Sequence, residues 1–150
     1  MNIERYEFAV SESLIDFEFE SNGPKGKIKK IVSFSPYNSE GITYFNLAFG
    51  DLIEETGKLN DVAVSDNKDT MKILATIAAT VLEFTQQFPD IIVYVKGSTP
   101  SRTRLYQMGI SGNWIEIEPF MQVFGFVDGK WEIFKKNVNY DAFLAQRKKL

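Results

Sequence analysis

The segment Ile73–Leu82, ILATIAATVL, places ten uncharged residues between Lys72 and Glu83, in a 150-residue chain that is 25% charged. It lies inside a repeat of positions spaced by three and four: Met71, Leu74, Ala78, Val81, Thr85 and Phe88. That spacing predicts a helix over Asp69–Phe88, and the missing charge predicts that most of it is buried. Ser65, Asp66 and Asn67 offer N-cap oxygens at its start, and Pro89 stops it. Small alanine and threonine positions let such a helix lie close against a sheet.

The sheet is written around it in period-two patterns. Tyr6–Val10 and Ile15–Glu20 read as short strands, the second with Ile15, Phe17 and Phe19 alternating with acids. Asn22–Gly26 turns the chain, and Ile28–Phe34 returns it as a hairpin. Ile42–Phe49 carries little charge and is expected at the centre of the sheet. Gly50–Lys58 reads as a loop, Leu59–Val64 as a short strand and Ile91–Lys96 as a buried strand. Trp114–Glu118 reads as a further strand. Phe120–Val127 and Lys130–Lys135 form a hairpin through Asp128-Gly129, a pair suited to a type I′ turn. Asp141–Leu150 is expected to be a terminal helix whose basic end suits its dipole. The fold class is therefore α+β: one domain over residues 1–150. A mostly antiparallel mixed sheet packs against one long central helix and one or two shorter helices.

Composition excludes several chemistries. The chain has no cysteine and no histidine, so it holds no disulfide, no thiolate nucleophile, no Cys/His zinc site and no Ser-His-Asp triad. Proton transfer would fall to carboxylates, lysine or tyrosine with shifted pKa values. A net charge of −3 gives no general attraction to nucleic acid or anionic membrane. No apolar run approaches a membrane span, and MNIERYEF lacks the pattern of a signal peptide, so a cytoplasmic location is expected.

The stretch VYVKGSTPSRTRLYQMGI, Val93–Ile110, runs an apolar strand into a turn and then a basic segment. Gly97 permits unusual backbone angles, Ser98 or Thr99 can cap a helix, and Pro100 suits the first helical position. The amides of that helix start, with Lys96, Arg102 and Arg104 near, form a candidate anion site comprising Lys96, Gly97, Ser98, Thr99, Arg102 and Arg104. Arg102 shares a helix face with Tyr106, and Arg104 with Met108, so Arg102, nearest the N-terminus, is the better anion contact. Leu105 is the expected core anchor. The same residues also serve as a plain strand-to-helix junction.

Other groupings carry less. Asp51, Glu54 and Glu55, with Asp61 further along, could hold a divalent cation, but their spacing matches no calcium loop and no metal site is assigned. Lys25, Lys27, Lys29 and Lys30 read as charges that blunt an edge strand. Phe120, Phe124, Phe126, Trp131 and Phe134 could stack bases, although alternation favours core packing for Phe120, Phe124 and Phe126. Trp114, beside Gly112-Asn113, suits a contact surface.

From Tyr44 onward the order of elements resembles the core of a GNAT-type acyltransferase. YFNLAFGD and KLNDVAVSD stand at that family's two central strands, DTMKILATIAATVLEFTQQFP at its long helix, and IIVYVKGSTPSRTRLYQMGI at its next strand and helix. The resemblance implies a general-acid role for Tyr106. It also implies a glycine-rich pyrophosphate loop before the long helix, whereas VSDNKDTMK has no glycine there. Acyl-CoA is therefore disfavoured at Ser65–Asp69, where Asp66 and Asp69 oppose a dianion. The GST-x-x-RTRLY stretch also resembles an uncharacterised family of small bacterial proteins.

The function expected is that of a non-catalytic binding or interaction module, with a protein partner or a second copy and no cofactor. The alternatives are a divergent acyltransferase-like enzyme using Tyr106, with an anion at Gly97–Arg102, and a weak single-stranded nucleic-acid binder. Nucleic acid is disfavoured by the charge, and no membrane is expected.

Overall fold

A computed structural model describes residues 4–53, 55–60 and 66–149. The described residues form nine strands and three helices, in an α+β arrangement. The strands are β1 (Ala9–Val10), β2 (Asp16–Gly23), β3 (Gly26–Ser39), β4 (Ile42–Ile53), β5 (Lys58–Asn60), β6 (Ile92–Val95), β7 (Met121–Val127), β8 (Lys130–Ile133) and β9 (Ala142–Arg147). The helices are α1 (Thr70–Gln87), α2 (Pro100–Gly112) and α3 (Trp114–Ile117). The sheet runs β1-β2-β3-β4-β6-β9-β7-β8, with β5 paired to β4 alone. Its pairings are antiparallel except β4 with β6.

All three helices lie on one face of this sheet. Phe17, Phe34, Leu47, Val93, Val123 and Phe143 share a single core with Ile73, Leu74, Ile77 and Phe84 of α1, Tyr106 of α2 and Ile117 of α3. Phe84 stacks on Phe34 with centroids 4.1 Å apart and planes 10° apart. The threonines of α1 return their hydroxyls to the helix backbone: Thr76 donates to the Lys72 carbonyl at 2.8 Å and Thr85 to that of Val81 at 2.8 Å. They can therefore be fully buried without an unmet donor. Because side chains alternate along a strand, the neighbours of the core residues form the opposite face, which no described helix covers.

Several expectations need correction. The helix expected over Asp141–Leu150 is not formed by its described residues; Ala142–Arg147 is the strand that fills the gap between β6 and β7, with Phe143 and Ala145 facing the core. Trp114–Ile117 is helical rather than extended, a single turn begun at the buried Asn113, whose Nδ2 donates to the Gly109 carbonyl at 2.8 Å. β4 runs on to Ile53, so the expected loop after Phe49 begins later. β5 ends at Asn60; the remainder of Leu59–Val64 lies outside the described residues. Of Tyr6–Val10, only Ala9 and Val10 join the sheet. At α1 the N-cap residue is Asp69, with no side-chain cap bond; Ser65 lies outside the described residues. The β7–β8 turn is as expected, with positive φ at Asp128 (53°) and Gly129 (75°).

Candidate functional site

The parallel pair opens partway along. β6 pairs with Tyr44–Leu47 of β4 and then ends, while β4 continues for six residues. The same edge of β4 is taken up again by β5, from Asp51 to Ile53. Ala48, Phe49 and Gly50 are left between the two. Arg102 of α2 reaches into this interval and its Nη2 donates to the Phe49 carbonyl at 2.8 Å. A cleft of about 250 Å³ follows, lined by Asn46, Tyr94, Lys96, Ser98, Arg102 and Tyr106 among others.

The β6–α2 junction itself is tightly tied. Thr99 is the N-cap, its Oγ1 accepting from the Arg102 amide at 3.2 Å, and Pro100 opens the helix. The Gly97 amide donates to Thr103 Oγ1 at 2.9 Å. Pro100 has no amide hydrogen, and the Gly97 and Arg102 amides are spent, which reduces the donors open to an anion at this helix start. A Cβ on Gly97 would lie 2.4 Å from the Thr103 nitrogen, so glycine is required by the close approach of α2.

Two basins meet at Tyr94 and Trp131 of the uncovered face, the first reaching round the end of the sheet to Pro100, Thr103, Arg104 and Gln107 of α2. The first, of about 620 Å³, includes Lys96, Ser98, Arg104, Asn139 and Asp141 in its walls. The other, also about 620 Å³, is lined by Ser35, Pro36, Tyr37, Ser39, Tyr44, Asn46 and Leu144, without a charged group. The Trp131 ring stands edge-on to Tyr94 at 6.4 Å and tilted over Phe126 at 5.0 Å, and the residue is 42% exposed. Burial, and then the nearby Tyr37 phenol, push the Tyr94 hydroxyl above its ordinary pKa.

The chain belongs to DUF6934, a family of unknown function whose model matches residues 2–148. No curated protein and no solved structure matches it.

In this DUF6934 chain the sequence-expected residues divide between two sides of the junction. Lys96, Gly97 and Ser98 touch both openings; Thr99 and Arg104 line the larger basin, and Arg102 and Tyr106 the cleft. Tyr106, not Leu105, is the core residue of α2: Tyr106 is buried and Leu105 is 40% exposed. Phe124 and Phe126 are not core residues either. Their strand neighbours Met121 and Val123 face the helices, which turns Phe124, Phe126 and Trp131 to the uncovered side. Phe120 is exposed, Phe134 is buried, and Trp114 is half-buried, packed against Phe134 at 5.1 Å.

The entrance to α1 is held by the chain's own side chains. Tyr6 Oη and Ser21 Oγ each donate to Asp69 Oδ2 at 2.5 Å. The buried Asn67 donates to the Gly26 carbonyl at 2.8 Å and accepts from the Lys25 amide at 2.7 Å, which fastens the β2–β3 turn over this end. Asp66 Oδ1 accepts from the Lys68 amide at 2.9 Å. Of the acidic group, Asp51 is 2.5 Å from Lys30 Nζ, Glu55 is exposed, and Glu54 and Asp61 lie outside the described residues. Among the described residues no three carboxylates gather as a metal site would need. Of the lysine run, Lys30 does not blunt an edge, being fully buried and paired on both sides, whereas Lys27 and Lys29 pair with β2 alone among the described strands.

Proposed function

We propose that the chain is a binding module that takes its ligand on the uncovered face of the sheet, across Tyr94 and Trp131. The observation that carries this reading is the pair of basins meeting at those two rings, one on the uncovered face and the other reaching from it to α2. Rigid aromatic surface beside neutral hydroxyl and amide groups gives contact area at low entropic cost, which suits recognition. Both basins fall within the roughly 300–1,000 Å³ typical of small-molecule sites. The test is a ligand panel read by thermal shift and by protein NMR on the full chain. A hit that moves the Trp131 indole signal, and that fails with Trp131→Ala, supports the reading. Hits that leave Trp131 and Tyr94 unmoved would refute it.

A second reading is favoured by Tyr106 on the cleft between β4 and β6, beside Lys96 and Arg102. From β4 onward the chain runs through a long helix, a strand and a further helix, in the order the acyltransferase resemblance implies. Lys58–Asn60 departs from it, since β5 pairs with β4 alone rather than serving as a central strand. On this reading Tyr106 would transfer a proton to a group seated in the cleft. Loss of turnover of an acyl-CoA in Tyr106→Phe, with melting unchanged, would support it; absence of any acyl-CoA turnover by the parent chain would not.

A further inference from the structure

We propose that the ligand of the Lys96-side basin is a nucleoside phosphate, its base stacked on Trp131 and its phosphate held by Lys96 and Arg104. This rests on the sheet-face reading and names the ligand class for it. Three features of the basin converge on that chemistry.

The first is a half-used aromatic. Trp131 meets Tyr94 edge-on and tilts over Phe126, yet keeps 42% of its surface in water. An indole held on two sides and open on the rest presents a fixed face to a planar ring, and a base stacks on such a face whatever its identity.

The second is unspent positive charge. Lys96 and Arg104 are both exposed and line this basin. Among the described residues neither has an ion-pair partner, although the chain carries a net charge of −3. Arg104 offers the planar fork that matches a phosphate, and Lys96 a point charge. The Gly97 and Arg102 amides are already bonded within the junction, and the two cationic side chains carry the recognition of charge.

The third is the rim. Asp141 is the basin's one acid among its described lining residues, and with Asn139 it supplies acceptors suited to amino and ribose hydroxyl groups. Its charge opposes a second phosphate near it and favours one phosphate at the Lys96–Arg104 side. The uncharged basin beyond Tyr94 and Trp131 would receive a second base if the nucleotide belonged to a strand.

The experiment is calorimetric titration of the full chain at low salt with AMP, adenosine, inorganic phosphate, a six-residue oligoadenylate and maltotriose. AMP is expected to bind, with adenosine and phosphate each at least tenfold weaker. Lys96→Ala and Arg104→Ala are expected to weaken AMP several-fold and flatten its salt dependence. Trp131→Ala is expected to weaken it by roughly 5- to 150-fold, the range for one stacked base. Trp131→Phe, which keeps a ring, separates loss of stacking from loss of fold. Oligoadenylate binding well beyond AMP identifies a strand as the source, and equal binding identifies the free nucleotide. Failure of both AMP and the oligomer at millimolar concentration overturns the proposal, as does AMP binding that ignores Lys96, Arg104 and Trp131. Maltotriose or a panel compound acting through Trp131, with no nucleotide binding, overturns the class and leaves the sheet-face reading standing.

Discussion

Lys30 is fully buried, its ammonium 2.5 Å from Asp51 Oδ1 and 5.9 Å from the centre of the Phe49 ring. Asp51 retains some contact with water, so the two partners are not equivalent. Asp51→Ala removes the carboxylate 2.5 Å from a fully buried ammonium and is expected to cost about 3–5 kcal/mol. Lys30→Met keeps the volume, leaves the charge on the wetter partner, and should cost much less. Urea unfolding of the two variants checks this, and equal losses would contradict it. Gly97→Ala pushes a Cβ against the α2 backbone and should destabilise by about 1–3 kcal/mol, measured the same way. Gly97 is legible in the sequence as a junction glycine. Lys30 is not: within Lys25–Lys30 nothing local separates the buried lysine from its exposed neighbours, because the separation is made by register against β4.

Among the elements, α1 and the β7–β8 hairpin were readable because their signals are local: a long charge-free periodic segment, and an Asp-Gly turn between alternating strands. β9 was not. AFLAQR carries helix-forming residues, and its strand state comes from pairing with both β6 and β7, which local preference cannot report. Its last residue also ties the sheet to α1: Arg147 donates through Nη2 to the Leu82 carbonyl at 2.8 Å and through Nε to Thr85 Oγ1 at 3.2 Å. Arg147→Ala should therefore lower stability by about 1–3 kcal/mol and speed amide exchange in the last turn of α1. Unchanged exchange there would show that the contact does not hold the helix end. In α2 the anchor is Tyr106 rather than its neighbour Leu105; both are apolar positions, and only the crossing with α1 decides between them.

At the scale of the whole molecule, three tyrosines tie distant parts together. Tyr6 reaches α1, Tyr94 the two basins, and Tyr140 the β8 residue Glu132 at 2.7 Å. Burial is the leading cause that raises all three above the ordinary value of 10.0; for Tyr6 and Tyr140 a carboxylate hydrogen bond adds to it. Their contribution to stability is complete below pH 10 and is lost as pH rises through the raised folded values, because the unfolded tyrosines ionise first. Urea midpoints should fall above pH 10, less so in Tyr6→Phe and Tyr140→Phe, while absorbance at 295 nm shows delayed ionisation in the folded chain. The α+β class followed from the sequence, but the uncovered face did not, because alternation shows that a strand has two faces without showing which one the helices take. That face bears the functional account. Its most direct test is an NMR titration of the full chain with AMP, following the two tryptophan indole signals. Trp131 is expected to move in a saturable way while Trp114, packed on Phe134, stays in place. Saturable binding that moves Trp114 or neither indole would contradict it.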